Sequence, residues 1–198
     1  MIIVFSLQSS LETSIFYLVI ILWIISEIIG GSIIPKSRRG NAKIERKDKS
    51  SAYIIFASVT ISIIVAIYFN ISNIAMLPNW VFYIGIIFIL LGILLRQWSI
   101  YILGSFFSQV VATQKNQKLI ESGPYRLVRH PSYTGALLIL IGIGLSVKSW
   151  AAILTILLIF TIAYGYRIYI EEKAMISQFG EEYVQYKKKT KRIIPYII

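Results

Sequence analysis

The sequence predicts an all-α, multi-span integral membrane protein, and three observations carry that reading. Hydrophobic residues fill 57% of the 198 positions and charged residues only 15%, with a mean hydropathy of +0.72, far from the average of soluble domains. Apolar runs that meet or approach the length needed to cross a hydrocarbon core of about 30 Å recur along the chain. The basic residues gather between alternate runs, the pattern of spans oriented by cytoplasmic Lys and Arg.

The first run, 15–34, is expected to be an uncleaved span, because residues 1–22 lack the basic leader and the small-residue cleavage site of a signal peptide. Runs 52–69 and 80–95 follow. The fourth, 134–147, is short and is expected to begin inside the polar segment that precedes it. The turn Ser146-Val147-Lys148-Ser149 makes it the first arm of a tight helical hairpin with the fifth run, 150–168. Gly85 and Gly92 share one face of the third span, as do Gly135 and Gly142 of the fourth, and both pairs predict close helix packing. The expectation is a single membrane-embedded domain over 1–198, with spans one to three in 1–109 and a catalytic half in 110–198.

Lys36, Arg38, Arg39, Lys43, Arg46, Lys47 and Lys49 lie between spans one and two. Lys115, Lys118, Arg126 and Arg129 lie between three and four, and a basic tail follows span five. The loop 70–79 has no charge, and Lys148 stands alone between spans four and five. This distribution predicts an external N-terminus and a cytoplasmic C-terminus: a cytoplasmic membrane in a prokaryote, the endoplasmic reticulum in a eukaryote. It also accounts for the net charge of +11 through anionic membrane lipid rather than nucleic acid, since juxtamembrane cations are each attracted by about 1 kcal/mol. With no cysteine, thiolate metal sites and cysteine nucleophiles are excluded.

The chemistry is expected in residues 123–135, GPYRLVRHPSYTG, which hold the single histidine, His130, in an otherwise apolar chain. A plain connector does not need that much hydrogen-bonding capacity. Pro124 and Pro131 shape the segment, and Pro131 suits the first turn of the next span. Four ionisable residues sit within or beside spans: Glu27, Arg96, Arg167 and Glu171. Glu27 is read equally as a cavity residue or as a partner for a cation, and Arg96 as a side chain reaching the headgroups. Arg167 and Glu171 share a helix face, which alone implies an intrahelical ion pair.

GPYRLVRHPSYTG, followed by Arg167-x-x-x-Glu171-Glu172, Phe179-Gly180-Glu181-Glu182-Tyr183-x-x-Tyr186 and Arg192-Ile193-Ile194-Pro195, resembles the isoprenylcysteine carboxyl methyltransferase family. The phospholipid N-methyltransferases share its RHP and Glu-Glu core more distantly. The resemblance implies a methyltransferase using S-adenosylmethionine in a non-Rossmann site on the cytoplasmic side, with no metal. No Gly-x-Gly-x-x-Gly stands between a strand and a helix, which excludes a soluble Rossmann enzyme. It further implies that Tyr125, His130, Pro131, Ser132 and Tyr133 surround the cofactor, with Gln117, Lys118, Leu119 and Ile120 offering mostly backbone contacts. Glu171 would bind the cofactor's ammonium or ribose hydroxyls, and Arg167 the substrate carboxylate; Glu172 is a second candidate for either contact. These make Arg167 and Glu171 the catalytic pair, acting on a lipophilic small-molecule or prenylated acceptor reached laterally from lipid. Gln117 departs from the pattern, since many relatives carry histidine there. Alternatives are a phospholipid or other lipid methyltransferase, an NADPH-dependent membrane reductase, or a non-catalytic membrane protein.

Overall fold

The computed structural model describes residues 10–39, 44–48, 50–114 and 117–195. Of the residues that set the expected orientation, Lys43, Lys49 and Lys115 lie outside these, as do residues 1–9 ahead of the first run.

Helix α1 (Ser10–Ile28) passes through a π-helical turn, Ile29–Ile33, into α2 (Ile34–Arg39). The widened turn falls where a neighbour leaves no room: a Cβ on Gly30 would stand 1.7 Å from Gln97 Oε1. Strand β1 (Ile44–Asp48) follows, then α3 (Ser50–Ile71) and α4 (Val81–Leu103). Asp48 starts α3 as a cap, accepting from Ser50 N at 3.1 Å and from Ser51 N at 2.9 Å. The Ser50 hydroxyl, donating to Asp48 at 2.5 Å, and then these bonds favour its ionised form and hold the carboxyl down at about 2.

Helix α4 continues eight residues past the predicted end at Leu95, because Arg96 finds partners inside the protein, and it stops at Gly104 with φ +56°. Strand β2 (Val111–Gln114) pairs antiparallel with β1. Helices α5 (Pro131–Ser146), α6 (Trp150–Phe179) and α7 (Glu181–Lys189) complete the described chain. The β1–β2 ribbon corrects the all-α expectation in detail, though the architecture is helical.

Four helical segments, Ser10–Arg38, Ser50–Ile71, Val81–Phe106 and Trp150–Phe179, are long and apolar enough to cross a membrane. Helix α5 is not: its 16 residues rise about 24 Å. It begins at Pro131 inside the polar segment, as the sequence predicts. Three residues join α5 to α6 in the expected hairpin, but the most extensive partner of α5 is α4, and that of α6 is α3. The glycines explain the first preference. A Cβ on Gly92 would lie 2.6 Å from the Gly135 carbonyl, and one on Gly142 would lie 2.7 Å from that of Gly85. The two pairs predicted on separate spans face each other, so the antiparallel backbones touch.

At the end of the bundle where α5 meets α6, polar groups tie the connections together. Asn70, fully buried, donates to Val147 O at 3.0 Å, and Ser149 Oγ to Ile74 O at 2.9 Å. The opposite end is open and holds the residues singled out by sequence.

Candidate functional site

A cavity of about 460 Å³ lies at that open end, lined from α1, α3, α4, α5, α6 and the segments between α4 and α5. Its level follows from the helices around it: α4 extends seven residues beyond Arg96 and α6 twelve beyond Arg167, so the floor is recessed by about 10 Å or more from their ends.

Residues 127–130 run from a single helical turn, Gly123–Arg126, into the N-terminus of α5. The C-terminal residues Lys191–Ile193 strap this segment down. Arg129 N donates to Lys191 O at 2.7 Å and His130 N to Arg192 O at 2.9 Å, while Thr134 Oγ1 donates to Ile193 O at 2.6 Å. The Arg192-Ile193-Ile194-Pro195 motif therefore has a structural meaning: its backbone satisfies the loop's own. Arg129 donates to Glu172 at 2.9 Å and to the carbonyls of Lys187 and Thr190. Lys187 Nζ adds a second cation 3.1 Å from Glu172.

So fixed, His130 and Tyr133 stack with centroids 5.4 Å apart and planes 8° from parallel. His130 Nδ1 is 3.6 Å from Glu171 and its Nε2 3.6 Å from Glu172; the buried Nε2 has no hydrogen-bond partner among the described residues. Tyr164 meets the Tyr133 ring edge-on at 5.3 Å. Tyr125 is buried, and burial pushes its hydroxyl well above the ordinary value. It thus remains a donor, 3.4 Å from Ser99 O.

Arg167 and Glu171 do not form the direct pair that their spacing suggests. The Tyr133 hydroxyl stands between them, accepting from Arg167 Nε at 3.1 Å and donating to Glu171 at 2.7 Å. Arg167 also donates to Ser51 Oγ at 2.7 Å and to Gln109 O at 3.0 Å. These use three of a guanidinium's five N–H groups and leave two for an incoming acceptor.

Arg96 does not reach outward as expected. Its guanidinium lies along both carboxylate oxygens of Glu27 and donates to Ser132 Oγ at 2.8 Å and to Ser132 O at 3.2 Å. Glu27, left open between two readings, fulfils both: it lines the cavity and pairs with a cation.

Of the residues implied by resemblance, Gln117, Tyr125, His130, Ser132, Tyr133, Arg167 and Glu171 line the cavity. Lys118, Leu119, Ile120 and Pro131 are not among its lining residues; Pro131 is fully buried in the first turn of α5. Sequence reasoning missed Ser51, Gln109 and Tyr164, each carried by a stretch with no motif. Arg129 sat inside the RHP segment and was read only as a surface charge.

The arrangement offers a guanidinium for an anion, stacked rings beside a carboxylate for a cation, and an apolar flank. Ile24, Ile28 and Phe56 belong to that flank yet are 49%, 53% and 74% exposed. Helices α1 and α3 pack on the others rather than extensively on each other, so the flank opens sideways between them.

Comparison with known proteins meets this geometry. The family model for phospholipid methyltransferases matches residues 80–182, slightly over half the chain. A protein-S-isoprenylcysteine O-methyltransferase of Schizosaccharomyces pombe is 35% identical over 112 residues, covering 56% of this chain and 48% of its own length. One from Xenopus laevis is 33% identical over 132 residues, covering 60% and 42%. The chain thus spans about half the length of these curated relatives. The solved structure of a eukaryotic intramembrane Ras methyltransferase, an isoprenylcysteine carboxyl methyltransferase, aligns with TM-score 0.57 and 27% identity, over 77% of this chain and 55% of that one.

Proposed function

The chain belongs to the phospholipid methyltransferase family, and from that premise we propose that it transfers a methyl group from S-adenosylmethionine to the carboxylate of an isoprenylcysteine-like, lipophilic acceptor. One observation carries the acceptor class. The cavity that holds Arg167, an arginine without a contacting carboxylate among the described residues, is flanked by apolar side chains exposed between α1 and α3. A long apolar chain ending in a carboxylate matches both halves.

When bound, S-adenosylmethionine supplies an electrophilic methyl on a sulfonium. Arg167 orients the acceptor through the two N–H groups it has spare, in the fork geometry that suits carboxylates. A carboxylate is already ionised at neutral pH, so no general base is required. With both reactants held there, the carboxylate oxygen would gain the methyl as the sulfonium lost it, so that both charges would cancel. Holding the two reactants in line supplies most of the rate. The His130 and Tyr133 rings, with Tyr125, offer π-faces for a cation. Glu171 takes the cofactor's ammonium or ribose hydroxyls: its Oε1 accepts no hydrogen bond among the described residues. Gln117 is on the cavity wall, and Lys118, Leu119 and Ile120 continue that stretch of backbone. Pro131 and Ser132 shape the turn.

We read residues 110–198 as the catalytic half of one membrane domain and 1–109 as its scaffold, the latter contributing Ser51. The open end is read as cytoplasmic: among the described residues the connections at that end carry Lys36, Arg38, Lys118, Arg126 and Arg129, and the connections at the other end carry Lys148. Methyl transfer to a phospholipid or other lipid is the second reading, favoured by the description of the family model.

Purified protein in detergent is given labelled cofactor with a farnesylcysteine analogue, with ethanolamine phospholipid, or with neither. Transfer to the farnesylcysteine analogue alone is expected. Transfer only to phospholipid replaces this reading with the second, and no cofactor binding removes both.

A further inference from the structure

Three arginines line the cavity, and the carboxylates are shared unequally among them. Arg96 is matched by both oxygens of Glu27, and Arg129 by Glu172 at 2.9 Å. Among the described residues Arg167 contacts only the neutral oxygens of Ser51, Gln109 and Tyr133, and Glu171 reaches it through the Tyr133 hydroxyl. An anion arriving in this cavity finds one guanidinium whose charge is not already matched at contact distance.

Glu27 lies in α1, outside the 80–182 stretch shared with the family, and half of the flanking opening is built from the same helix. Its side chain is 24% exposed and that of Arg96 15%, both on the cavity. A charged pair in a span is costly to bury, and an apolar pair of similar volume is often as stable. Stability alone therefore gives little reason for a glutamate here.

We infer that Glu27 is a positioning residue that sets acceptor specificity: by occupying Arg96 it leaves Arg167 as the single docking point for the carboxylate of a lipophilic acceptor. The inference rests on the methyl-transfer reading for the class of acceptor. With Glu27 neutralised, Arg96 becomes a second anion anchor beside Ser132, and the acceptor also binds in a place where it does not react. Nonproductive binding lowers kcat and KM in equal proportion and leaves kcat/KM unchanged, whereas loss of a merely structural contact lowers kcat/KM.

The test compares the full chain in detergent with Glu27→Gln, Glu27→Asp and Glu27→Gln/Arg96→Gln. Affinity for N-acetylfarnesylcysteine and for its methyl ester is measured at equilibrium without cofactor, and turnover is measured separately. In Glu27→Gln the affinity ratio of carboxylate to ester should rise about tenfold, the scale of one charge-assisted hydrogen bond, and kcat and KM should fall together. Glu27→Asp keeps the wild-type ratio, and the double variant returns to it. A ratio unchanged in Glu27→Gln, or one that stays raised when Arg96 is also removed, overturns the inference. If the ratios behave as expected but wild-type protein methylates no carboxylate acceptor, the methyl-transfer reading fails and the role of Glu27 as a filter for anions stands.

Discussion

The Tyr133 hydroxyl donates to Glu171 at 2.7 Å, and so holds that carboxylate away from Arg167, four residues earlier on the same helix. Without the phenol, Arg167 and Glu171 have the spacing of an ordinary intrahelical ion pair. With it, Arg167 keeps N–H groups free and Glu171 keeps an oxygen free. Tyr133→Phe preserves the stacked ring and removes only this spacer. Methyl transfer is expected to fall about tenfold to a hundredfold, the range for leaving buried polar groups unsatisfied, with little change in thermal stability. Transfer rates at saturating cofactor decide it, and wild-type turnover in the variant would show that the spacer has no part in the reaction.

The contact between α4 and α5 sets the level of the whole site, because Gly92 and Gly135 lie about one turn from Arg96 and Ser132. In Gly92→Ala the added methyl meets the Gly135 carbonyl at 2.6 Å and Ile139 at 2.7 Å, neither of which is the free end of a long side chain. The expected cost is about 1–3 kcal/mol, read as a lower unfolding midpoint in detergent. Gly165→Ala is the control: nothing lies within 4 Å of its added Cβ, and replacing a mid-helix glycine should stabilise by about 0.5–1 kcal/mol. Equal midpoints for the two variants would contradict the close-packed interface.

The helices were legible in the sequence because apolar runs and glycine spacing are local signals. Their ends were less so. The 80–95 run gives way at Arg96, where hydropathy implies an exit from the membrane; only the structure supplies Glu27, 69 residues away, as the partner that lets α4 go on. The same holds for the site. His130, Tyr133, Arg167 and Glu171 stand in dense motifs and were found, although their mutual bonding was not: the expected Arg167–Glu171 pair is interrupted by Tyr133. Ser51 and Gln109 were invisible because a single serine or glutamine at a span end carries no pattern. The β1–β2 ribbon was missed for a related reason, four or five residues being too short to show a period of two.

Arg129 tests the strap. Its side chain is packed against Glu172, Lys187 O and Thr190 O, so it joins the His130 segment, α6 and the C-terminal residues in one contact. Arg129→Ala leaves the Glu172 carboxylate with Lys187 as its nearest cation and is expected to destabilise by about 1.5–3 kcal/mol, the worth of hydrogen bonds to a charged group. Limited proteolysis should then cut near Thr190 faster than in wild type, while the rest of the chain stays resistant. Uniform sensitivity along the chain would mean global unfolding instead of release of the strap.

Asp48 links the stability of a helix to the geometry of Arg167. Its carboxylate fixes the first turn of α3 by accepting from Ser50 and Ser51, and the hydroxyl of that same Ser51 accepts from Arg167 at 2.7 Å. The carboxyl is depressed from 3.8 to about 2 in the folded protein by the Ser50 and Ser51 bonds. A depressed folded value means that the stabilisation is fully present above about 4 and is lost as pH falls toward about 2. Its size is limited by solvent screening at this half-buried position. Asp48→Asn keeps a capping oxygen and loses only the charge, so it should lower stability at neutral pH modestly and flatten the pH dependence of the unfolding midpoint over that acidic window. Because Ser51 also steadies the guanidinium, the variant should raise KM for a carboxylate acceptor more than it changes cofactor affinity. If Asp48→Asn shifts both binding constants equally, the cap supports the fold in general and has no particular hold on Arg167.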